Sequence, residues 1–143
     1  FEIEFDRVSV APQVRAHLEV FEHGQPRKNL AALGHLCEAF LDDYDAWLMP
    51  VMPDAAFIRQ KQSQPLVIDG TPHPYFFAGT AYNFLANLTG QPSIVLPCGF
   101  SKDGLPIGLQ LTGKRWDDAR LLGIAKALEK LLPPCPVPPN YKD

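Results

Sequence analysis

The sequence predicts an α/β fold, a partial mixed β-sheet flanked by helices, and three observations carry that prediction. First, two short apolar runs, 93–97 (SIVLP) and 106–111 (PIGLQL), bracket the polar turn Ser101-Lys102-Asp103-Gly104. Asp-Gly between hydrophobic runs is a strong hairpin signal, because glycine reaches positive φ without steric cost. Second, stretches with apolar residues at helical spacing alternate with the strand-like runs. Third, three or four short strands, two of them nearly all apolar, need neighbours on both faces and both edges. The helices of this chain cover one side. The chain therefore reads as part of a larger sheet, or as one that pairs with another copy.

The elements follow in order. Residues 1–10 alternate Phe1, Ile3, Phe5 with Glu2, Glu4, Asp6, which predicts an edge strand with a solvated acidic face. Glu2 and Glu4 have no evident His or Asp partner for a metal. Pro12 opens a short helix to about Glu22, closed by Gly24 and Pro26. From Lys28 a second helix carries Leu30, Leu33, Leu36, Cys37, Phe40 and Leu41 on one face. It ends in Asp42, Asp43 and Asp45, where acid opposes the helix dipole, so a solvated loop is expected.

Residues 46–51 (AWLMPV) read as a buried strand stopped by prolines, and 54–64 as an irregular connection. A smaller hairpin runs through 66–68, Asp69-Gly70 and 71–76. A helix from Gly79 carries Thr80, Phe84, Asn87 and Leu88 and stops at Gly90 and Pro92. In the second run of the central hairpin, Ile107, Leu109 and Leu111 share one face, with Gly108, Gln110 and Thr112 on the other. A bare glycine there predicts close approach of another backbone. Asp117 and Asp118 open the last helix, with a stripe of Leu121, Leu122, Ala125, Leu128 and Leu132. Residues 133–143 form a Pro-rich tail, and 1–143 reads as a single segment without repeats or an internal linker.

Composition bounds the function. The 143 residues carry 13 basic and 16 acidic side chains, a net charge of −3, and 46% hydrophobic residues. That balance predicts no nucleic-acid partner. No apolar run approaches the length of a membrane span, and the N-terminus is no signal peptide. Cys37, Cys98 and Cys135 are widely spaced without a CxxC, which fits a reduced, cytoplasmic setting. Phe1 in place of Met suggests a processed or trimmed chain.

Candidate chemistry is sparse. Cys98 follows Pro97 at a strand end, and Ser93 and Ser101 are the nearby hydroxyls. A catalytic thiol needs a histidine, and none of His17, His23, His35 and His73 can be placed beside it from sequence. Ser101 and Lys102 are adjacent on a polar turn rather than facing one another. No GxSxG elbow, no zinc spacing and no phosphate-binding glycine loop is present, so neither a metal nor a cofactor is expected.

Asn87-Leu88-Thr89-Gly90-Gln91-Pro92, then Leu96-Pro97-Cys98-Gly99, then residues 104–110 (GLPIGLQ) resemble the C-terminal part of the amidase signature family. Residues 44–50 (YDAWLMP) look like that family's strand of acidic residue, apolar run and proline, and 117–129 look like its closing helix. The resemblance covers roughly residues 35–132. It implies the C-terminal portion of the amidase signature fold, with one large mixed sheet between helices and the 93–112 hairpin in its interior. Gly108 and Gln110 would then face elements this chain lacks.

The same resemblance implies a serine amidohydrolase that cleaves a carboxylic amide C–N bond through a Ser nucleophile, a second Ser and a Lys. Those groups and their Gly/Ser-rich loop lie upstream in such proteins. No residue of this chain is therefore assigned a catalytic role. Thr80, Asn83 and Phe84 are the implied substrate-binding residues. An acidic residue stands at the position of Thr80 in the tRNA-amidotransferase branch, so threonine points to a general amidase. The implied partners are the N-terminal catalytic part of the same enzyme, a small-molecule amide and a further copy in a homo-oligomer. The alternative is a stand-alone, non-catalytic α/β module that self-associates or binds a partner through its open sheet.

Overall fold

The computed structural model describes residues 26–61 and 64–136. The expected strand over 1–10, the helix after Pro12 and the tail beyond 136 lie outside the described residues. The elements are α1 (Pro26–Asp43), β1 (Trp47–Pro50), β2 (Leu66–Ile68), β3 (Thr71–His73), α2 (Tyr75–Thr80), α3 (Phe84–Thr89), β4 (Ser93–Phe100), β5 (Pro106–Thr112) and α4 (Asp118–Glu129).

Three strands form the main sheet in the order β1-β5-β4, and β2-β3 form a separate two-stranded ribbon. Every pairing among the described residues is antiparallel. The β4–β5 hairpin is the one expected, extended to Phe100, with an irregularity in register between Pro97 and Gly99. Its turn is held by Ser101, whose Oγ accepts from the backbone N–H groups of Asp103 and Leu105 at 3.3 and 3.2 Å. Gly104 adopts φ +77°, the left-handed conformation for which the Asp-Gly pair is suited.

Strand alternation divides β5 between two buried layers. Leu111 joins Leu96 on the face covered by α4, where Leu121 and Ala125 complete the cluster. The opposite face carries Gln110 and Thr112 beside Met49 and Trp47 of β1. Phe40 of α1 meets the Trp47 ring at 5.7 Å, which places α1 against this second face. Helices therefore lie on both faces, not one. This corrects the expectation for Gln110: it is 3% exposed, covered by its own chain. Its Nε2 donates to Thr112 Oγ1 at 3.2 Å and to Met49 Sδ at 3.5 Å. A buried amide needs such partners, since leaving it unpaired costs more than its bonds gain.

Other elements depart from expectation in definable ways. α1 begins at Pro26 rather than Lys28, a position where a missing N–H costs nothing. The third residue of β3 is His73, and Tyr75–Thr80 turns helical after Pro74 rather than continuing as strand. The helix expected from Gly79 is two short helices with a turn over 81–83 between them. Gly90 ends α3 at φ +71°, and its N–H donates to Ala86 O at 2.9 Å. In α4, Leu121 and Ala125 are buried, whereas Leu122 is exposed. The acidic end of α1 is solvated as expected, with Asp42 paired to Lys114 and Asp45 to Arg120.

Candidate functional site

A broad concavity lies where β1 gives way to the irregular loop after it. Val51 extends the β1–β5 pairing by one bond, donating its N–H to Gly108 O at 3.3 Å. Met52 and Pro53 then carry the chain away from the sheet, so the lower half of the second face is left open. The result is a cavity of about 500 Å³. Its floor is Gly108 and Val95, and Val51, Phe57, Tyr82 and Ile107 contribute to its walls. Val95 remains 51% exposed there. That size suits a small molecule, and mostly apolar walls with few polar groups are typical of such sites.

Gly108 answers the question raised by its bare position. A Cβ on it would stand 2.9 Å from Val51 Cγ2 and 3.2 Å from Val95 Cγ1. The close neighbours are side chains of adjacent strands, not the backbone of a further element, which corrects that expectation.

Two polar side chains at the cavity, Ser101 and Asp54, hydrogen-bond within their own loops. The Ser101 hydroxyl is held by its own turn. Asp54, at the rim, accepts the Ala55 N–H on Oδ1 at 2.7 Å. Elsewhere in the hairpin, away from the cavity lining, Ser93 Oγ and Thr112 Oγ1 share a hydrogen bond of 2.9 Å. Cys98 donates weakly to Ile107 O at 3.5 Å, and burial pushes its thiol pKa up. A thiol held protonated is a poor nucleophile. Among the described residues, His35 and His73 hydrogen-bond to none of these groups, and no acidic, His or Cys cluster is arranged to hold a metal. His17 and His23 lie outside the described residues.

The three expected substrate-binding residues sit along α2, the 81–83 turn and the start of α3. Thr80 Oγ1 donates to Phe76 O at 2.7 Å, Asn83 precedes α3 without a side-chain cap bond, and Phe84 is 40% exposed. None of the three lines the cavity. Tyr82, between them, does. Phe57 and Val51 were also missed by sequence reasoning, which read their loop as a plain connection. The signal that could have found them was a proline-bounded, aperiodic segment directly after a buried strand, where scaffolds commonly carry binding residues.

The family model for amidase matches residues 5–122. The chain belongs to the amidase family. It is 36% identical over 110 residues to a glutamyl-tRNA(Gln) amidotransferase subunit from Pseudothermotoga lettingae, a match covering 77% of this chain and 22% of that protein. The like-named protein of Clostridium acetobutylicum is 42% identical over 94 residues, covering 65% and 18% respectively. Among solved structures, the glutamyl-tRNA(Gln) amidotransferase subunit from Thermotoga maritima superposes with TM-score 0.62 at 28% identity, covering 90% of this chain and 29% of that one. An amidase crystal structure gives TM-score 0.61 at 25% identity, covering 86% and 29%. The chain thus spans about a fifth of the length of these sequence relatives. The amidase-family fold that the hairpin and closing helix suggested is the fold observed.

Proposed function

We propose that this chain is the C-terminal portion of an enzyme that hydrolyses a carboxylic amide C–N bond, with the catalytic Ser-Ser-Lys set supplied by a part of the enzyme outside these 143 residues. The observation that carries the reading is a pairing of presence and absence. The family match runs through most of the chain, yet the Ser101 hydroxyl at the cavity, and the Ser93 hydroxyl and Cys98 thiol elsewhere in the hairpin, are engaged with backbone or with Thr112. The cavity at Gly108 and Val95 is then one wall of the substrate pocket. Thr80, Asn83 and Phe84 line its continuation toward the absent part. Proximity and orientation of the amide are what such a wall contributes to catalysis.

The partners in this reading are the N-terminal catalytic portion, a small-molecule amide and a second copy of the enzyme, in the cytoplasm. No helix among the described residues is long and apolar enough to cross a membrane. Relatives named as amidotransferase subunits make a multi-subunit setting reasonable for the parent.

The test is to express the natural gene product at its full length and assay it on simple aliphatic and aryl amides. Hydrolysis by the longer protein, with none from residues 1–143 alone, is the expected result. A natural product of 143 residues without amidase activity would instead favour a self-associating module. The half-exposed Leu48 and Val95 on the two edge strands supply the surface for that reading.

A further inference from the structure

Phe57 is shared by two concavities. On one side lies the apolar cavity described above; on the other, a second hollow of about 600 Å³ is lined by Arg59, Lys61, Tyr75 and Phe76. The Phe57 and Tyr75 rings meet edge to face at 6.0 Å, forming an aromatic ridge between the two. The charges differ in sign at the two ends. Arg59 and Lys61 are exposed, and the ion pairs of the described residues involve other groups, namely Lys114–Asp42, Arg115–Glu38 and Arg120–Asp45. The acidic group at the apolar cavity is Asp54, on its rim.

We propose that the two hollows form one elongated subsite for an amide that bears an apolar or aryl arm at one end and a carboxylate at the other, an N-acyl amino acid in chemical class. This rests on reading the first cavity as part of the substrate pocket. The arm lies over Val95 and Gly108 between Val51 and Tyr82. The amide crosses the Phe57–Tyr75 ridge, and the carboxylate faces Arg59 and Lys61. Arginine offers a carboxylate a bidentate fork and lysine a point charge. Asp54 disfavours the reverse orientation by like-charge repulsion.

The test uses the full-length gene product that carries these residues, with N-phenylacetylglycine, its methyl ester and N-acetylglycine as probes and backbone amide chemical shifts in NMR titrations as readout. The acid should bind about tenfold more tightly than the ester, a difference of about 1.4 kcal/mol. The preference should shrink in 0.5 M salt. Arg59→Gln with Lys61→Gln, both at exposed positions, should bring the ratio to about one while the aryl arm still binds. Val95→Trp should abolish binding of both aryl probes, and N-acetylglycine should bind weakly throughout. Equal affinity for acid and ester, or shift changes that avoid Tyr75 and Val95, overturns the proposal. Because nothing here depends on turnover, its failure is separable from failure of the amidase reading. That reading falls only if the longer protein hydrolyses no amide.

Discussion

Adding one methyl group at Gly108 should weaken this fold, whereas adding one at Gly34 should strengthen it. Both are small residues packed against neighbours, but the distances differ. A Cβ at 108 meets Val51 Cγ2 at 2.9 Å and Val95 Cγ1 at 3.2 Å. Comfortable carbon contacts are about 3.5–4.0 Å, so Val51 must retreat by roughly 0.6–1 Å. Its backbone is tied to Gly108 O, and a β-branched side chain has few alternative rotamers. Overpacking of this kind costs about 1–3 kcal/mol, and the open cavity alongside Val95 places the expected value near the lower end, about 1–2 kcal/mol.

At Gly34, inside α1, the nearest atom to a new Cβ is Arg115 Nη1 at 3.9 Å, an ordinary contact. Glycine in a helix interior costs about 0.5–1 kcal/mol relative to alanine, so Gly34→Ala should gain that much. The two variants should differ by about 2 kcal/mol. In urea unfolding followed by tryptophan fluorescence, that is a separation of about 1 M in midpoint for an m-value near 2 kcal/mol/M. Adding Val51→Ala to Gly108→Ala should recover part of the loss beyond additivity. If Gly108→Ala leaves the midpoint unchanged or raises it, the close packing of β1 on β5 at this point is refuted.

Leu111→Ala, at 1% exposure between Leu96 and Leu121, should cost about 3 kcal/mol in the same assay. Glu38 Oε1 accepts from both the backbone N and Nε of Arg115, at 3.2 and 2.9 Å, on a partly buried face. Glu38→Ala should therefore cost about 1–2 kcal/mol, whereas breaking the exposed Arg120–Asp45 pair by Asp45→Ala should stay within about 0.5 kcal/mol. Timed alkylation read by mass spectrometry should modify exposed Cys135 first, then Cys98, and buried Cys37 last. Burial raises the thiol pKa of Cys37 and Cys98, so the folded chain holds protons that an unfolded thiol releases above about pH 8.5. Stability should fall as pH climbs from there through the raised values, and Cys37→Ala with Cys98→Ala should flatten that decline in pH-dependent unfolding.

Local patterns were legible wherever the chain itself enforces the outcome. The stripe of Leu33, Cys37 and Leu41 faces inward on α1, and Asp-Gly closes the β4–β5 hairpin through positive φ at Gly104. Both depend only on the helical period and on glycine's lack of a side chain. The break between α2 and α3 was not legible, because Thr80 to Phe84 keeps helical spacing through the turn. The cavity was hidden for a related reason. Val51 and Phe57 share one loop, but Tyr82 and Val95 are distant from it in sequence, and no local signal joins the three segments.

Sequence by itself determined the family, the hairpin and the amphipathic helices, since each is written in short-range spacing or in a contiguous motif. Tertiary structure alone decided which surface of β5 is dry. Gln110 and Leu111 are adjacent in the chain and point opposite ways, yet both are buried, one among Met49 and Thr112 and the other beneath α4. A polar side chain becomes interior only when the groups packed around it satisfy it. Those partners come from β1 and from β5 itself once paired, and that pairing is a property of the folded sheet.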